Sequence, residues 1–404
     1  MTPATRPPIT AAPARGSRRG AVLYLLAVLA VYVTATAVAI YFRGLSPDRM
    51  MVVAQQALGG HLDSPTFKGT VDSVEAGGRY YLALGPLQLA AYLPFAAVPD
   101  LQRVGGYIAG LLFGIPAAWL ALPLARAYGA RGSAAYWIAA FTAFGSLLIW
   151  SSVLGVPYYL AHAEAFLALT LFLLEWAGKR RPVLLGVCLG VAFLARPTTI
   201  LAAVPFGISL LWPRRNELGA MARTAVAFAL PIAGAVAIYG WYNWVRFGSP
   251  LESGYSISVL QVPWLQEARA QGLFTPWHIP ANIYFGLLEP PDLTGGFPFL
   301  RPNACGMSML LVSPALLTAL YAGFRDRMAR LLWTAAAVVA VPVFLYYGGG
   351  VVQYGFRYSL DFTPFLVALM AIGSARWTGG REKLLVLAGI ASVAVGIFWY
   401  ATTY

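Results

Sequence analysis

Apolar residues in this chain gather into long runs separated by short polar stretches. The first, 21–42, is long enough to span a bilayer as a helix at roughly 20 residues per crossing. Others follow at 104–125, 133–151, 158–177, 183–195, 199–213, 224–244, 306–323, 331–347, 358–374 and 384–403. This pattern predicts an all-α polytopic membrane protein with about eleven transmembrane helices. Run 21–42 is too long for a signal-peptide core and has no small-residue cleavage site, so it is read as a retained helix. The Pro-, Ala- and Arg-rich residues 1–20 are expected to be a disordered basic tail, and 21–404 a single transmembrane domain.

The stretch Gly85–Val98 is apolar but short, and it contains Pro86 and Pro94. Were it to cross, every later loop would change sides. Basic residues decide the point, because Lys and Arg bias sets orientation. Arg15, Arg18, Arg19, Arg126, Arg131, Lys179, Arg180, Arg181, Arg214, Arg215, Arg325, Arg327, Arg381 and Lys383 all share one side when Gly85–Val98 does not cross. It is therefore expected to be re-entrant or interfacial, with the N-terminus inside and the C-terminus outside. Arg196-Pro197 breaks the short pair 183–195 and 199–213 into a tight hairpin. Two outer loops are then long, about 43–103 and 245–305. The first is expected to hold amphipathic or re-entrant helices.

Composition removes the alternatives. Hydrophobic residues make up 59% and charged residues 11%, where a soluble domain carries roughly 25% charged. That excludes a cytosolic enzyme, a secreted domain and a disordered chain. The net charge of +13 then reflects loop bias, and no nucleic-acid partner is read from it. Cys188 and Cys305 give neither a disulfide framework nor metal-ligand spacing. The inner loops lack a P-loop pattern and room for a nucleotide-binding domain.

Chemistry is therefore sought outside, where most acids and all three histidines fall. Asp48 follows the first crossing and Pro47, at a predicted helix start. It can be a helix-start acid, or a carboxylate at the membrane edge whose partial desolvation favours general-base use. Asp63 follows in Gly60-His61-Leu62-Asp63, and Arg79-Tyr80 after the turn glycines Gly77-Gly78. Arg196 and Arg357 lie at membrane depth, where a cation faces a cavity or a partner. Their planar forks suit phosphate. Structural alternatives are an Arg357–Asp361 pair and an Arg196 that snorkels to the interface. His162, near the outer end of a span, is either a hydrogen-bonded packing residue or a ligand.

Four phrases carry a family resemblance: FLARPT at 193–198, YNWVRFGSPLESGY at 242–255, FPFLRPNACGMSMLL at 297–311 and QYGFRYSLDFTPFL at 353–366. With the large first loop and its acid, the chain over about 21–375 resembles the membrane-embedded glycosyltransferases of the C-type fold. These include protein O-mannosyltransferases, aminoarabinose transferases and bacterial relatives. The resemblance implies a polyprenyl-phosphate-linked sugar donor, transfer on the outer face of a bacterial inner membrane, and an acid of the first loop as catalytic base. Asp48 matches that acid and Asp63 is the second candidate. One departure is that many relatives carry two adjacent acids where this chain has Asp48-Arg49. Candidate donor-phosphate and substrate-binding residues are Arg49, Arg79, Tyr80, His162, Arg196 and Arg246. Glu252, Tyr255, Asn282, Tyr284, Arg357 and Tyr358 complete the set. Expected partners are that donor, membrane lipids and an envelope acceptor; no metal ligand is assigned, and a divalent cation is left open. The rivals are a non-catalytic polyprenyl-lipid-binding protein and a transporter, which would want mid-span charges and an internal repeat.

Overall fold

A computed structural model describes residues 15–303 and 305–404 of the protein. Up to residue 14, the tail expected at 1–20 lies outside the described residues; from Arg15 the chain is already helical. The apolar runs are helical because lipid offers backbone groups no hydrogen-bond partner. After α1 (Arg15–Arg43), the first long loop holds α2 (Arg49–Leu58), β1 (Ser73–Ala76), β2 (Arg79–Leu82) and α3 (Pro86–Ala96). Next come α4 (Gly105–Ala127), α5 (Gly132–Ala140), α6 (Leu147–Val153), α7 (Pro157–Ala177), α8 (Pro182–Ala195), α9 (Ala203–Leu211) and α10 (Leu218–Phe247). The second long loop carries α11 (Pro263–Ala270), α12 (Ile279–Ile283) and the short ribbon of β3 (Asp292–Leu293) with β4 (Leu300–Arg301). Then follow α13 (Met309–Val312), α14 (Arg327–Leu345), α15 (Thr363–Gly373) and α16 (Gly380–Thr403).

Among the described residues six helices are long and apolar enough to cross a membrane: α1, α4, α7, α10, α14 and α16. The pair α5–α6, bent by 43°, makes a seventh if it is one span. Other expected crossings are shorter or irregular, and proline accounts for two of the breaks: it removes a donor and disfavours helix at the preceding residue. Pro197 divides the run after α8 into a 3-10 turn and α9, and Pro314 opens a 3-10 helix, Pro314–Ala322, after α13. α3, with 11 residues, is about 16 Å long, well short of a bilayer core. It packs on α2, α4, α7 and α8.

Small residues bring the central helices together. A Cβ at Gly110 of α4 would lie 2.0 Å from the carbonyl oxygen of Ser152 in α6, and one at Gly186 of α8 2.2 Å from that of Phe228 in α10. Without a hydrophobic drive between helices in lipid, such close backbone approach supplies the packing energy. The main core, including Trp150, Phe172, Trp176, Phe206 and Phe365, draws on α1, α4–α10 and α13–α16. A second core under the first loop joins Met50, Met51 and Val53 of α2 to Tyr92 and Phe95 of α3. The hairpin turns at Gly77-Gly78, both with positive φ (58° and 74°), which suits a tight two-residue connection.

Candidate functional site

α8 stops because Pro197 forces Arg196 out of the helical region, to φ −142° and ψ 100°. That break frees the Arg196 side chain to leave the helix. It donates to Asp361 from Nε (3.1 Å to both carboxylate oxygens) and from a terminal nitrogen (3.0 Å). Thr198 Oγ1 donates to the same carboxylate at 2.7 Å, and His162 Nδ1 at 3.1 Å. Asp361 and His162 are fully buried. The carboxylate fixes the Nδ1–H tautomer of His162, whose Nε2 is buried without a hydrogen-bond partner. Two sequence readings are thereby corrected. Arg196 does not snorkel, because a bidentate carboxylate is a better partner than the interface. Asp361 does not pair with Arg357 one turn away, because the 3-10 turn Arg357–Asp361 aims it at Arg196.

Arg357 is the contrasting group. It is 8% exposed, and no carboxylate forms an ion pair with it among the described residues. One terminal nitrogen donates to Gln353 Oε1 (2.8 Å) and the Val351 carbonyl (3.3 Å), while Nε has no partner. The guanidinium lies 5.0 Å from the Tyr358 ring centre and 5.5 Å from that of Tyr159. The Arg196 guanidinium lies 4.8 Å from the Tyr358 ring centre. Tyr358 thus contacts both cations, one neutralised and one not. An unpaired buried guanidinium with unused donors is costly and suits an anion.

The first loop brings its acids to different places. Asp48 caps α2: Oδ1 accepts from the N–H groups of Met50 (2.8 Å) and Met51 (3.0 Å), and Oδ2 accepts from the Tyr92 hydroxyl. Burial pushes its carboxyl up to about 6, against the pull of Tyr92, the two N–H groups and Arg43. The folded state then holds this proton more tightly than the unfolded chain. Stability should fall as pH rises from about 4 to about 6 and level off above. Thermal melts of Asp48→Asn should show that part of the profile flattened relative to wild type. Asp63 lies 3.6 Å from Arg79 at the surface. Asp72, which is not among the site residues expected from the sequence, is the first-loop acid on which Arg357 acts. It is half-buried, and its pKa is raised by burial against the pull of Tyr158, Arg357 and Arg49.

Other expected residues have structural duties. Arg246 is buried, donates to the carbonyls of Leu82, Leu84 and Tyr242 and to Asn243, and so ties the end of α10 to β2. Asn282 donates to the Phe344 and Tyr346 carbonyls. Glu252 accepts from Gly254 and Ser256 within its own turn. Arg49 is exposed and donates to the Val71 carbonyl at 2.6 Å. Tyr80 is half-buried near Lys68, and Tyr284 is 46% exposed. Tyr255 of the second loop feels the charges of Arg196 and Asp72, and so faces the cluster. An apolar cleft of about 420 Å³ lies between α8 and α10, lined by Phe193, Pro197, Val236, Tyr239 and Trp241, and reaches the residue next to Arg196.

Among the described residues no group of three His, Cys, Asp or Glu side chains could hold a metal ion. No family model matches the chain, and no curated protein matches it. Among solved structures the chain is similar to the apo oligosaccharyltransferase of Archaeoglobus fulgidus, at 14% identity and a TM-score of 0.48. The match covers 93% of this chain and 55% of that one, so the chain spans about half of that protein's length.

Proposed function

We propose that the protein is a glycosyltransferase of a bacterial inner membrane with about eleven crossings. It would move a sugar from a polyprenyl-phosphate donor to a hydroxyl of a lipid, glycan or protein acceptor on the extracytoplasmic face. The observation that carries this reading is Arg357, a buried cation with unused donors and, among the described residues, no ion pair with a carboxylate. The apolar cleft beside Arg196-Pro197 suits a polyprenyl tail, which would bring the phosphate in from the bilayer side.

In this reading the acceptor oxygen attacks the sugar C1 from the face opposite the phosphate, so configuration inverts. The C1–O bond to phosphate breaks, and its electron pair leaves with the lipid phosphate. Arg357 offsets the charge growing there, so no acid is needed on the leaving group. A carboxylate of the first loop takes the acceptor's proton.

The test uses purified protein in lipid nanodiscs with a radiolabelled polyprenyl-phosphate sugar and a hydroxyl acceptor, without nucleotide. Label should reach the acceptor with inverted configuration as polyprenyl phosphate is released. Transfer from a nucleotide sugar alone, or no turnover with any polyprenyl donor, would overturn the proposal.

A further inference from the structure

Asp72 precedes β1 with a φ of 61°, in the left-handed region that Asp and Asn enter more readily than other side-chain-bearing residues. Hydrogen bonds hold it there: its N–H donates to the Val259 carbonyl (2.9 Å), and its own carbonyl accepts from Ala83 (3.2 Å). The first-loop hairpin and the second loop therefore fix this backbone together. Its carboxylate caps no helix and joins no ion pair among the described residues. The groups facing it come from four directions: Tyr158 of α7, Arg357 of the 3-10 turn, Arg49 of α2, and Tyr255 with Tyr347 from the loops above. The Tyr158 hydroxyl approaches it without the geometry of a full hydrogen bond, and is otherwise unpartnered. Asp48, by contrast, already accepts three hydrogen bonds, and Arg43 rather than Arg357 is the cation that acts on it.

We propose that Asp72, rather than Asp48, is the general base of the transfer, an inference that rests on the glycosyl-transfer reading above. The acceptor hydroxyl gives its proton to the Asp72 carboxylate as its oxygen bonds to the sugar C1. The C1–O bond to phosphate breaks, and the phosphate leaves as an anion beside Arg357. The backbone anchored on Val259 and Ala83 then holds the Asp72 carboxylate toward the acceptor side, while Asp48 positions α2 and Tyr92.

The experiment compares wild type, Asp72→Asn, Asp72→Gly, Asp48→Asn and Glu75→Gln, an exposed hairpin acid, as control. Asparagine tolerates positive φ and glycine prefers it, so neither Asp72 variant adds strain. Transfer rate, its pH profile and binding of polyprenyl phosphate alone are measured. Both Asp72 variants should lose about 10²–10⁴ in turnover. They should also lose the acidic limb of the profile and bind polyprenyl phosphate at least as tightly, since a nearby negative charge is gone. Asp48→Asn should keep the acidic limb, and Glu75→Gln should match wild type. Full turnover in Asp72→Asn overturns the inference while leaving the transfer reading intact. So does an acidic limb that disappears with Asp48→Asn and survives Asp72→Asn, or weakened lipid-phosphate binding in both Asp72 variants. A wild type inactive with every polyprenyl donor overturns the reading and the base together.

Discussion

Asp361→Asn is expected to destabilise the protein by about 3–5 kcal/mol, the usual cost of removing one partner of a buried ion pair. Asp361 accepts from Arg196, Thr198 and His162 in a fully buried position. Asparagine keeps the shape but removes the charge that balances Arg196. Its amide would also point donors at groups that are themselves donors. The loss should appear as a lower thermal midpoint and earlier unfolding in detergent titration. Most of the cost is the stranded cation, so combining Asp361→Leu with Arg196→Met should be far milder than either change alone. The sign of that coupling is the decisive measurement. Asp361→Leu combined with Arg357→Met should show much weaker coupling, because the two do not pair. Strong coupling with Arg357 and none with Arg196 would contradict the arrangement described above.

Arg357→Lys is expected to weaken binding of polyprenyl phosphate, and turnover with the donor, by about 10–100-fold, and Arg357→Ala by more. An ammonium keeps the charge but cannot give two parallel bonds to one phosphate. The phosphate is anionic before and after transfer, so the loss should appear in affinity as well as rate. Folding should be little affected, since among the described residues the native guanidinium is buried without an ion pair and its Nε has no partner. That combination separates the two arginines: Arg196→Lys should damage stability first, Arg357→Lys ligand binding first. Unchanged affinity in a well-folded Arg357→Ala would remove the phosphate-holding role.

Much of the site was legible one residue at a time. Arg196, Arg357 and His162 stood out because charged or titratable groups at membrane depth need partners, and all three lie in the cluster. Their partners did not show. Helical spacing offered Asp361 to Arg357, but the turn there is 3-10 and points the carboxylate elsewhere. Asp72 carried no pattern at all. Its backbone anchor and its neighbours come from the second loop, α7 and the turn at Arg357, far away in sequence. Arg246 was expected to bind substrate, yet its bonds to Leu82 and Leu84 depend on where the hairpin lands.

By itself the sequence determined the membrane class, the helical content, the start of α2 at Asp48, the turn at Gly77-Gly78 and the break at Arg196-Pro197. Each is a local property: hydropathy over a run, a cap, a turn, a proline's effect on the residue before it. Tertiary structure alone decided which cation was neutralised and which left without an ion pair among the described residues. It alone placed Asp72 of the first loop where the charge of Arg357 acts on it. The physical reason is that a buried charge is stabilised by whichever partner packing brings within a few ångströms, and sequence distance does not limit that choice.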